Sequence, residues 1–170
     1  ARILRANKHK QIMLIAHSMG SIIAYDALHL VARDVPIHTF ITIGSPLGTP
    51  MVRNEILDEQ RELNISNPHL STPENIQHNW FNFADPDDKI VAHYELFKDY
   101  QPNTKGVQVL TKLITSNYEY LGIKNPHQSF GYLRSPELAL VVHDFLAGGK
   151  LSLLSKLKES IIKKFTKRPR

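Results

Sequence analysis

The sequence predicts an α/β fold built on a mostly parallel sheet of about four strands with flanking helices. Three observations lead there. An apolar run at residues 12–16 leads through Ser18 into a helix-like apolar pattern at 19–33. A β-branched and aromatic run follows at 37–43. Two further strand-like runs come later, at 80–84 and 106–115. Two strands with a helix between them form a βαβ unit, and that crossover makes the strands parallel.

The elements follow in order. Residues 10–16 read as a buried strand. In 19–33, Ile22, Ile23, Ala27, Leu30 and Val31 fall on overlapping apolar faces of a helix that Pro36 closes. The second strand, 37–43, ends at Gly44. Residues 45–78 carry Pro46, Pro50, Pro68 and Pro73. They read as an excursion over the sheet, with a helix near 51–63 and a lid as one use. The third strand, 80–84, runs into an Asp-dense loop, and 93–100 has helical character. Residues 106–115 form the fourth strand and 123–132 a loop. The last helix, 135–147, opens on Ser135-Pro136-Glu137, an N-cap followed by proline at the first helical position. Gly148-Gly149 stops it.

The 170 residues suffice for one domain with a sizeable core. They divide into a body, 1–149, and a tail, 150–170. Eight of the 21 Lys and Arg lie in that tail against one acid, Glu159. The tail therefore carries +7 and the rest −2, so the charge balance gives no reason to make the body a nucleic-acid binder. No apolar run approaches the ~20 residues that span a bilayer. The chain has no cysteine, which excludes thiolate chemistry and disulfides. Neither H-E-x-x-H nor another metal spacing occurs, and no cofactor is expected.

Ser18 sits where a strand turns sharply into a helix, in Ala16-His17-Ser18-Met19-Gly20. Such a junction is a nucleophile elbow, in which a strained turn lifts the apex side chain above the strand end. Small neighbours are expected, because backbone and helix approach closely. Gly20 supplies one, and Ala16 stands where glycine is usual. A serine hydroxyl needs a base, and the base needs an orienting acid. On an elbow fold the partners follow in the order Ser, acid, His. The acid candidates after the third strand are Asp85, nearest the strand end, Asp87 and Asp88. Of nine histidines, His29 and His143 fall in helices, His38 in a strand, and His93 too close to the acid loop. His17 adjoins the serine and is expected to point elsewhere. His127, in a loop ahead of the last helix, has the right position and order. The Met19 N–H is the expected oxyanion donor, and Gly44-Ser45-Pro46 is expected to line the pocket.

Ala16-His17-Ser18-Met19-Gly20, Thr42-Ile43-Gly44-Ser45-Pro46, Trp80-Phe81-Asn82-Phe83 with its Asp loop, and Asn125-Pro126-His127 with Tyr132-Leu133 together resemble α/β-hydrolases of the serine esterase and lipase type. The resemblance is to the lipase-like branch with inositol-deacylase relatives, over about residues 10–147. It implies a partial three-layer α/β-hydrolase fold and hydrolysis of a small-molecule or lipid ester. Asp88 is favoured as the acid, because Lys89-Ile90-Val91 after it is similar to the Asp-x-Ile-Val of many such enzymes; Asp85 is the alternative. The resemblance also implies strands before the elbow strand, and a second oxyanion donor from a loop among them. Only about ten residues precede the elbow strand, so an N-terminally truncated domain is the expectation.

In the tail, Leu151, Leu154, Leu157, Ile161 and Phe165 recur at steps of three and four, with lysines mostly off that line. The pattern predicts a basic amphipathic helix. It packs on its own domain or contacts an anionic membrane surface peripherally.

Overall fold

A computed structural model describes residues 1–91 and 93–148. The tail helix expected at 150–170 lies outside the described residues. After a short N-terminal helix α1 (Arg2–Ala6), the sheet strands are β1 (Met13–His17), β2 (Ile37–Ile43), β3 (Ile76–Ala84) and β4 (Val109–Leu113), in spatial order β1-β2-β3-β4. All three pairings are parallel, with Ala16 opposite Thr42, Phe40 opposite Trp80 and Trp80 opposite Val109. This is the partial α/β fold expected.

β2 is the best-buried strand, because it has neighbours on both edges and cover on both faces. Alternation sends Phe40 into one layer and Ile41 into the other, both fully buried. Phe40 joins Tyr25, Leu28, Ile56, Trp80 and Tyr100 on the side of α2 (Met19–Asp26) and α3 (Pro50–Glu62). Ile41 joins Ile43, Phe83, Ile114, Tyr132 and Leu138 on the side of α4 (Ser129–Leu133) and α5 (Pro136–Leu146). Each such side chain removed from water contributes roughly 1.5–3 kcal/mol. The expected cap of α5 is present: Ser135 Oγ accepts the Leu138 N–H at 3.3 Å.

Several elements differ from expectation. The helix expected over 19–33 is α-helical only to Asp26, and 27–31 widens into a π turn closed by Ala32 N–H donating to Ala27 O at 2.7 Å. The extra residue brings Ala32 to the buried side with Leu28. Ile23 and Val31, expected on the apolar face, are exposed, since α2 flanks β1, which pairs only with β2 among the described residues. The stretch 45–78 is anchored to the core. Leu47, Ile56, Leu70 and Ile76 all enter the core, and the Gln60 side chain clamps the His69 main chain through both its amide groups. Within 93–100 only Leu96–Lys98 is helical, as a 3-10 turn. β4 is shorter than expected because Gly106, at φ +76°, still belongs to the preceding turn. The loop expected at 123–132 holds half of a hairpin, β5 (Glu119–Tyr120) with β6 (Ile123–Lys124), and then α4.

Candidate active site

Ser18 occupies the turn between β1 and α2 at φ +53°, ψ −133°. A serine holds such a conformation only where its surroundings over-determine it. Here Ser18 N–H continues the ladder by donating to Ile43 O at 3.1 Å. A short proton chain then braces the turn from beneath. Leu47 N–H donates to Ser45 Oγ, the Ser45 hydroxyl donates to Ser21 Oγ at 2.7 Å, and the Ser21 hydroxyl donates to Ser18 O at 2.5 Å. Ser45, expected beside the pocket, is fully buried in this role and braces the elbow. The buried Ser21 was not singled out from sequence; its place one helical turn after Ser18 was the available signal.

The two small positions of the elbow behave differently. The Ala16 methyl is taken up in the core. A Cβ added at Gly20 would meet nothing within 4 Å, so the close approach expected there is absent among the described residues. Close approach occurs at Gly44 instead. It follows β2 at φ +54°, and a Cβ there would lie 3.3 Å from Asp88 Oδ2 and from the Tyr132 ring, and 3.4 Å from His127 Cε1. Gly44 therefore leaves the room in which these three side chains meet.

His127 stands between Ser18 and Asp88. Its Nε2 is 2.8 Å from Ser18 Oγ and its Nδ1 is 2.8 Å from Asp88 Oδ2. With Nδ1–H donating to the carboxylate, Nε2 is left as an acceptor for the hydroxyl proton. The Asp88 side chain is fully buried, while that of His127 is 30% exposed. A buried carboxylate is costly unless its lone pairs are used. Oδ2 accepts from His127 and from the Tyr132 hydroxyl at 2.8 Å, and Oδ1 accepts the Ile90 N–H at 3.0 Å. Burial, reinforced by the adjacent Asp88 carboxylate, raises the Tyr132 phenol above its ordinary range, so it keeps its proton and donates.

Asp85, the alternative acid, is also buried, but it serves a turn. Its Oδ1 accepts the Asp87 N–H at 2.9 Å and its Oδ2 accepts the Ser116 N–H at 2.5 Å. It makes no hydrogen bond to His127 among the described residues. The strand end aims it at the β4–β5 connection, while three residues more of turn bring Asp88 to the imidazole. Met19 opens α2, whose first N–H groups have no acceptor within the helix, next to Ser18. His17 does not point away: its Nε2 is 2.8 Å from the His127 carbonyl oxygen, and the two rings are 4.8 Å apart. His29 lies apart from this cluster, against Ser71 O, with burial lowering its proton affinity.

The model of the PGAP1-like alpha/beta domain matches residues 3–129. The chain belongs to that family. The match spans Ser18, Asp88 and His127. No curated protein and no solved structure matches the chain. The PGAP1-like alpha/beta domain is of α/β-hydrolase type with inositol-deacylase character, so both fold and family agree with the branch the sequence resembles. At this coarse level the activity class is that of a hydrolase.

Proposed function

We propose that the protein is a serine hydrolase that cleaves a carboxylic ester, of a small molecule or a lipid, through an acyl-enzyme on Ser18. The observation that carries this reading is the unbroken line from Asp88 through His127 to the Ser18 hydroxyl, with both contacts at 2.8 Å. In this reading Ser18 Oγ attacks the ester carbonyl carbon while its proton passes to His127 Nε2. Asp88 holds Nδ1–H, fixes the tautomer and stabilises the imidazolium. The negative oxygen of the tetrahedral intermediate faces the Met19 N–H and the N-terminal end of α2. The C–O bond to the alcohol then breaks, and the alcohol leaves with the proton from Nε2. Water, deprotonated by the same nitrogen, attacks the acyl carbon; the C–Oγ bond then breaks, the carboxylic acid leaves, and Nε2 returns the proton to Ser18 Oγ.

The test is covalent labelling with a fluorophosphonate, alongside hydrolysis of p-nitrophenyl esters of graded chain length. The expected result is labelling and turnover that vanish in Ser18→Ala. Loss of a triad member is expected to cost about 10⁴–10⁶-fold in kcat. Labelling that persists in Ser18→Ala, or a wild-type chain that neither labels nor hydrolyses, removes the proposal and leaves a hydrolase-like binding domain.

A further inference from the structure

His17 is the last residue of β1 and the immediate neighbour of Ser18, yet its ring reaches the loop that carries His127. A carbonyl oxygen only accepts, so the 2.8 Å contact requires His17 to carry a proton on Nε2 and donate it. The His127 loop is otherwise lightly held. Its own bonds are local: Asn125 Oδ1 accepts the His127 N–H, Asn125 O accepts the Gln128 N–H, and Asn125 N–H donates to Tyr118 O. Among the described residues, the His17 bond is the one hydrogen bond that ties the main chain of 125–128 to the sheet.

We propose that His17 is a positioning residue that clamps the main chain of His127 to the strand end bearing Ser18. The clamp closes a ring. From Ser18 it runs through the peptide bond to His17, across to the His127 carbonyl, through the His127 side chain, and back to Ser18 Oγ. The base is thereby located from two sides, by its imidazole and by its backbone. Without the backbone hold, the loop drifts, and the imidazole is kept in place only by its own bonds to Ser18 Oγ and Asp88 Oδ2. Reacting groups misplaced by about 1 Å lose on the order of 100-fold in rate, so a clamp on a lightly held loop is a direct means of keeping the contact short.

This inference rests on the proposed hydrolase reading for its consequence, but not for its geometry. The experiment therefore measures both on the full chain: amide hydrogen exchange across 125–131, and kcat and KM for a p-nitrophenyl ester. His17→Phe keeps ring volume and removes the donor; His17→Gln restores an N–H near the same point. The expected result is exchange about five-fold faster in 125–131 for His17→Phe, the scale of one lost hydrogen bond. It comes with kcat lowered by about 10–100-fold at nearly unchanged KM. His17→Gln is expected to return both toward wild type. The clamp is overturned if exchange in His17→Phe matches wild type, or if His17→Gln is as loose as His17→Phe. Should no variant, wild type included, hydrolyse the ester while His17→Phe still loosens the loop, the hydrolase reading fails and the clamp stands. If His17→Phe does not fold, the comparison of His17→Gln with His17→Ala decides by the same exchange criterion.

Discussion

The Tyr132 hydroxyl lies 2.8 Å from Asp88 Oδ2, the same carboxylate oxygen that receives His127 Nδ1. It also accepts the Asp85 N–H at 3.1 Å. One buried phenol thus links both aspartates of the loop and shares the oxygen that orients the imidazole. Tyr132→Phe keeps the ring in the core but leaves the Asp85 N–H without a partner, at a cost of about 1–3 kcal/mol. Asp88 loses one of three donors and gains rotational freedom. The expected outcome is a lower Tm and a kcat reduced by about ten-fold, with KM nearly constant, since the loss acts on orientation rather than substrate contact. Steady-state kinetics and a thermal melt read both. A variant with full kcat would show that His127 and Ile90 alone suffice to hold the carboxylate.

The two buried aspartates have different partners, and the proposed reading gives them different roles. Asp88→Asn presents an amide to His127 Nδ1 and favours the wrong tautomer, so kcat is expected to fall about 10⁴-fold while the fold survives. Asp85→Asn weakens the bonds to the Asp87 and Ser116 N–H groups. That is expected to cost about 1–3 kcal/mol of stability while kcat stays within a few-fold of wild type. Melting curves and ester turnover on the pair would reveal an exchanged assignment at once, because the large activity loss would move to Asp85→Asn.

Two glycines near Ser18 should respond in opposite ways to alanine. At Gly44 the new methyl crowds Asp88, Tyr132 and His127, and the residue sits at φ +54°. The backbone cost alone is about 1–2 kcal/mol, and displacement of the imidazole is expected to reduce kcat on the order of 100-fold. At Gly20 the methyl meets open space, and alanine in a helix is favoured over glycine by about 0.5–1 kcal/mol. Gly20→Ala is therefore expected to melt no lower than wild type. A folded, fully active Gly44→Ala would contradict the crowding read from the strand end.

How much was legible in advance follows from distance along the chain. Ser18 was legible because its elbow is local: strand, turn and helix lie within one short stretch of sequence. β2 was legible to the residue because it is buried on both faces and reads as an unbroken β-branched and aromatic run ending at a glycine. The order of elements singled out His127 from nine histidines. Asp88 and Asp85 were not separable from the residues alone, since three positions of turn decide which faces the imidazole. The contacts of His17 and Tyr132 left no local trace. Each joins a strand end or a helix to a distant loop, 110 residues apart for His17 with His127 and 44 for Tyr132 with Asp88. The exposure of Ile23 was hidden for a related reason. Periodicity marks an apolar stripe, but which flank of the stripe finds a neighbour depends on where α2 sits beside the sheet.

Asp26, at the end of α2, carries a different kind of information. Burial, with help from the Glu59 carboxylate, raises its acid from 3.8 to about 6. The folded state therefore binds the proton more tightly than the unfolded chain. The associated stability is fully present below pH ~4 and is lost as pH rises through about 6. At pH 7 the ionised Asp26 opposes folding. Because the group is only half-buried and solvent screens it, the penalty is on the order of 1 kcal/mol rather than the full value of a two-unit shift. Asp26→Asn removes the charge without changing the shape. The expected outcome is a Tm about 2–4 °C above wild type at pH 7, a gain that shrinks through pH 6 and disappears by pH 4. Thermal melts of the two proteins across that range supply the check. A gain that stays constant with pH would mean that the substitution acts through packing or helix propensity, not through the buried carboxylate.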